Sequence, residues 1–135
     1  MTQAERRIFL LNYILAERGE ATVIPQDEYS QKRLLRSLFN IRMPKPVSEE
    51  FTTIQDGYLQ EENARKGITD IADLKPVQKG IYLWQGDITT LKCDAIVNAA
   101  NSQMLGCFSP CHGCIDKAAP TSITQVYNKR MARCS

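Results

Sequence analysis

Eleven residues, Gly106 to Asp116, hold Cys107, Cys111, His112 and Cys114, which are three of the five cysteines and the single histidine of the 135-residue sequence. Thiolates and an imidazole at such short separations suit zinc. That ion takes sulfur and nitrogen tetrahedrally and keeps a working position open where a protein supplies only three ligands. The cysteine count is odd and the spacing too tight for an orderly disulfide framework, so metal thiolates in a reducing cytoplasm are expected. Asn98-Ala99-Ala100-Asn101-Ser102 stands just upstream, and the Asn101 amide brings two donors and two acceptor sites. Earlier still, Gly86-Asp87-Ile88-Thr89 reads as a polar turn in which Asp87 could cap the backbone.

These residues need elements to position them. Up to about Gly80 the apolar spacing is helical. Ile8, Leu11 and Leu15, with Leu10 and Ile14, recur every three or four residues before Gly19, a residue suited to the left-handed end of a helix. A second helix is predicted from about Asp27 to Arg42, with Leu34, Leu35, Leu38, Phe39 and Ile41 inward and Pro44 as its stop. A third starts at the cap Ser48, carries Glu49 and Glu50 in its first turn, and lays Phe51, Ile54, Tyr58 and Leu59 along one face before Gly67. This spacing predicts core packing. Beyond Gly80, Ile81-Tyr82-Leu83-Trp84-Gln85 and Asp94-Ala95-Ile96-Val97-Asn98 read as short strands, the second apolar enough to lie covered in a parallel sheet. Cys93 reads as a small buried residue.

Composition excludes several partners. The formal net charge is +2, with 17 basic and 15 acidic side chains interspersed, so no basic stripe points to nucleic acid. No apolar run approaches the roughly 18 residues that a membrane span needs. Ile8 to Leu15 after Arg6-Arg7 has the look of a weak signal sequence, but Asn12 interrupts it and no small-residue cleavage site follows. The expected location is cytoplasmic; the sequence leaves the oligomeric state open.

From Tyr82 to Asp116, about a quarter of the chain, the sequence resembles the macrodomain family, and within it the zinc-containing bacterial ADP-ribosyl hydrolases. The resemblance rests on Gly86-Asp87-Ile88-Thr89, on Asp94 to Ser102, and on Leu105-Gly106-Cys107-Phe108 through His112-Gly113-Cys114-Ile115-Asp116. It implies an α/β fold, a macrodomain-like three-layer α/β/α sheet, incomplete here, preceded by an α-helical extension. On that reading residues 1–79 are the extension and 80–135 the N-terminal part of a truncated macrodomain. The implied partner is ADP-ribose or an ADP-ribosylated protein, and the implied activity is zinc-dependent removal of ADP-ribose. Asp87, with Ile88 beside it, would receive the adenine amino group; Asn101 would hold the distal ribose. Asp116 would orient or deprotonate a water there, although an Asp at a helix start also complements the dipole. Cys107, His112 and Cys114 are the implied ligands of Zn2+. Alternation in His112-Gly113-Cys114 lets two side chains point the same way, and Pro110 bends the chain so that Cys107 can meet them.

The sequence also departs from the family pattern. Cys111 adds a thiol; on the metal it would close the site as a structural, non-catalytic zinc module. A module that binds ADP-ribose without chemistry is a further alternative. Pro120 falls where a helix is expected, and no glycine follows Gly113, so the glycine-rich cradle for a diphosphate has no counterpart in the tail. A frameshift or truncation from about Lys117, with weak turnover by this chain, is the expectation these departures set.

Overall fold

Thr2 opens the first helix by giving and receiving a bond with Glu5. Its Oγ1 accepts from the Glu5 N–H at 3.2 Å while its own N–H donates to the Glu5 carboxylate at 2.6 Å, so two backbone donors that a helix start leaves unpaired are satisfied reciprocally. In this computed structural model, which describes residues 1–43 and 45–97, α1 runs Gln3–Arg18, α2 Glu28–Ile41 and α3 Glu49–Lys66. Asp27 and Ser48 cap α2 and α3 by accepting from Ser30 and Phe51. Gly19 ends α1 at φ 66°, its N–H turned back to the carbonyls of the last turn, a conformation that a Cβ disfavours.

The core lies where the apolar spacing predicts it. Leu10, Leu11, Ile14 and Leu15 of α1 meet Leu35 and Leu38 of α2 and Phe51, Ile54 and Tyr58 of α3. α1 packs against both other helices. Each fully buried apolar side chain contributes about 1.5–3 kcal/mol relative to exposure, so this shared face holds the helices together. Leu34, Phe39 and Leu59 pack at its margin, half-buried. The Ile8–Leu15 stretch is thus the middle of a core helix, and Arg7 beside it is buried with Gln31 accepting at 2.9 Å. Tyr13 and Phe51 pack with ring centroids 4.5 Å apart and planes tilted by 39°, and Arg42 lies over Phe51 while pairing with both oxygens of Glu17 at 2.8 and 2.9 Å. Among the described residues no helix is long and apolar enough to cross a membrane.

Extended structure begins at Thr69, eleven residues before the predicted change near Gly80. Strand β1, Thr69–Asp70, pairs in parallel with β4, Leu91–Lys92; β2, Pro76–Gln78, and β3, Ile81–Tyr82, form an antiparallel hairpin whose turn contains Gly80 at φ 75°. The described part is therefore mixed helix and small sheet with a helical N-terminal region. Two strand expectations are corrected. The first predicted strand is confined to Ile81–Tyr82, with Leu83 81% exposed, and its neighbour is antiparallel. The second, Asp94 to Asn98, has no strand over Asp94–Val97, and Val97 is 96% exposed. A strand needs a neighbour for its N–H and C=O groups. The parallel ladder ends instead at Lys92, and no described strand pairs with Asp94–Val97. Asn98 lies outside the described residues, and Cys93 is half-buried with a free thiol.

Candidate functional site

Asp87 begins a 3-10 turn, Ile88–Thr90, that leads into β4. Its Oδ1 accepts from the Thr89 N–H at 3.0 Å and from the Thr89 hydroxyl at 2.7 Å, and its own carbonyl accepts from the N–H and hydroxyl of Thr90. Thr90 is buried by this arrangement and Ile88 half-buried. The capping role that turn chemistry allows for Asp87 is therefore present, and it fixes the carboxylate.

The other oxygen faces α3. Lys66, in the last turn of that helix, places Nζ 3.0 Å from Asp87 Oδ2. Burial pushes the Asp87 carboxyl up, but the Thr89 donors and the Lys66 ammonium outweigh it and hold the group below the ordinary carboxylate range. An ionised carboxylate only accepts, at about four lone-pair positions. Thr89 takes two on Oδ1 and Lys66 one on Oδ2, which leaves Oδ2 able to accept once more from a ligand donor such as an exocyclic amine.

Gly86 serves this turn by being small. A Cβ there would overlap the six-membered ring of Trp84, which folds across the glycine. Gly86 has an ordinary negative φ, so close approach rather than backbone freedom calls for glycine here.

Of the residues singled out in the sequence, the structure brings Asp87 and Ile88 together in the capped turn. Asn101, Cys107, Cys111, His112, Cys114 and Asp116 lie outside the described residues. Among the described residues no group of three side chains able to hold a metal ion comes together. The structure adds Lys66, which sequence reasoning missed. A basic residue in a last helical turn reads as a complement to the helix dipole, and nothing local ties it to a carboxylate 21 residues later.

No family model matches the chain. The chain is 58% identical over 127 residues to a protein of Treponema medium named Protein-ADP-ribose hydrolase, an alignment that takes in 90% of this chain and 49% of that protein. It is 46% identical over 116 residues to a Staphylococcus aureus (strain MRSA252) protein of the same name, covering 84% of this chain and 43% of the other. The chain spans about half the length of the curated relatives it matches.

Proposed function

We propose that this chain carries the adenine-binding and metal-binding segments of a protein-ADP-ribose hydrolase of the zinc-containing macrodomain type, acting on ADP-ribosylated protein. The observation that carries this reading is the 58% identity over nine-tenths of the chain to a protein of that name. The capped, ionised Asp87 supports it, because a fixed acceptor is what recognition of an adenine amino group requires.

On this reading the substrate enters with its adenine amino group donating to Asp87 Oδ2, while Ile88 supplies apolar surface beside the base. Asn101 holds the distal ribose through its amide. Asp116 accepts a proton from the attacking water, which must lie within hydrogen-bond reach of its carboxylate. Cys107, His112 and Cys114 are the residues that would hold zinc. Two thiolates and one imidazole fit that ion and leave a fourth position open, and zinc when bound supplies Lewis-acid polarisation. The cytoplasm, where thiolates stay reduced, is the compartment this donor set suits.

The test joins metal content to turnover. Zinc is measured on purified protein alongside release of ADP-ribose from an ADP-ribosylated protein, for the natural sequence and for Cys107→Ser, His112→Ala and Cys111→Ser. Loss of zinc in the first two, with zinc retained in the third, is expected. Equal zinc loss in Cys111→Ser would assign a closed structural metal, and ADP-ribose release that survives complete metal removal would overturn zinc dependence.

A further inference from the structure

The Lys66–Asp87 pair links a helix outside the turn to the acceptor inside it. We propose that Lys66 is a positioning residue that holds Asp87 as a fixed acceptor and thereby sets preference for a 6-amino over a 6-oxo purine, an inference that rests on the ADP-ribose reading above.

Both oxygens of Asp87 are clamped, Oδ1 by Thr89 and Oδ2 by Lys66. The two clamps differ in origin. Thr89 is two residues away and would accompany Asp87 wherever the turn moved, whereas Lys66 is anchored in α3. Gly67 closes that helix by donating to the Ala64 carbonyl at 3.1 Å, and Phe51, Ile54 and Tyr58 fix α3 in the core. Lys66 therefore orients the carboxylate plane relative to the helical bundle, which no contact within the turn can do.

Stability alone gives this pair little to do. The Lys66 and Asp87 side chains are 50% and 46% exposed, and ion pairs so open to water add little to stability. A base stacked over the turn changes that. It shields the pair from water and strengthens the ammonium's hold on Oδ2. A 6-amino group then meets an oxygen with room for one more donor. A 6-oxo group at the same place sets an acceptor against an acceptor that Lys66 keeps ionised.

The experiment is calorimetric titration with ADP-ribose and with its hypoxanthine counterpart, inosine diphosphate ribose, at several pH values. The proteins are the natural chain, Lys66→Ala, Lys66→Arg and, as control, Lys92→Ala. Lys92 forms a comparable exposed pair with Asp70 at 2.7 Å across β1 and β4. Lys66→Ala should weaken ADP-ribose binding at least about three- to fivefold, the size expected of a pair still partly open to water, and narrow the preference over the 6-oxo ligand by a similar factor. Lys66→Arg should restore most of both, and Lys92→Ala should change neither.

The pH profile adds a readout that general loosening would not move. Lys66 is the charged group acting on Asp87 among the described residues, so the acid limb of ADP-ribose binding should shift to higher pH in Lys66→Ala. Unchanged affinity, preference and acid limb in Lys66→Ala, while the natural chain binds ADP-ribose, would overturn the role of Lys66 and leave the proposed function standing. Equal affinity of the natural chain for the two ligands would overturn it as well. Failure of the natural chain to bind ADP-ribose at all would remove both readings.

Discussion

At the scale of residues, Asp87 does two jobs that sequence reasoning sets side by side as alternatives. It caps its own turn through Thr89 and keeps acceptor capacity on the oxygen that faces Lys66. Asp87→Asn retains the shape but replaces one oxygen with a donor; it should weaken ADP-ribose binding about tenfold, as expected for a lost bond to a charged group, measured by titration. Where the natural protein loses affinity as the pH falls through the lowered carboxyl value, the asparagine variant should show no such limb. Gly86 offers a separate check, because Trp84 is the single tryptophan of the sequence. Gly86→Ala drives a Cβ into its ring and should change the intrinsic fluorescence; an unaltered emission spectrum would contradict the close packing. The turn was legible because Gly, Asp and Thr carry local chemistry. Lys66 was not, since its partner is set by where α3 ends in space.

At the scale of elements, the helices were read to within a residue or two because caps and apolar period agree. Ser48, Asp27 and Gly19 each mark an end that the structure confirms. Ser48→Ala removes the acceptor for the Phe51 N–H at 3.1 Å and should lower stability by about 1 kcal/mol, read from a denaturant midpoint. The strands were less legible. Ile81 to Gln85 and Asp94 to Asn98 have suitable side chains, but strand formation depends on a partner that can come from anywhere in the sequence, and local composition does not name it. Thr69–Asp70 shows the converse: two unremarkable residues after α3 become a parallel strand because Leu91–Lys92 lies beside them.

For the whole molecule, Glu62 joins all three helices. Its carboxylate accepts from Gln3 of α1 at 3.1 Å and from Lys32 of α2 at 2.9 Å, while itself belonging to α3. Burial pushes its carboxyl up, yet the Lys32 and Gln3 donors outweigh this and leave it below the ordinary value of 4.5. A folded-state value below the unfolded one contributes stability that is present above the unfolded value and lost as pH falls through the folded one. Acid melting should therefore show a component below about pH 4.5 that Glu62→Gln removes. Thermal melts of both proteins over pH 3–7 would check this, and identical pH dependence would exclude the contribution. The mixture of a helical N-terminal region with short extended segments was legible as a change of apolar period along the chain, although extended structure begins earlier than expected; the pairing that joins Asp70 to Lys92 across 22 residues was not.

The position of α1 as the shared partner of α2 and α3 has a consequence for biosynthesis. Leu10, Leu11, Ile14 and Leu15 leave the ribosome ahead of Phe51, Ile54 and Tyr58, which share their core and are translated some forty residues later. At about 5–20 residues per second that oily stripe waits on the order of seconds in the nascent chain before the third helix is available to cover it.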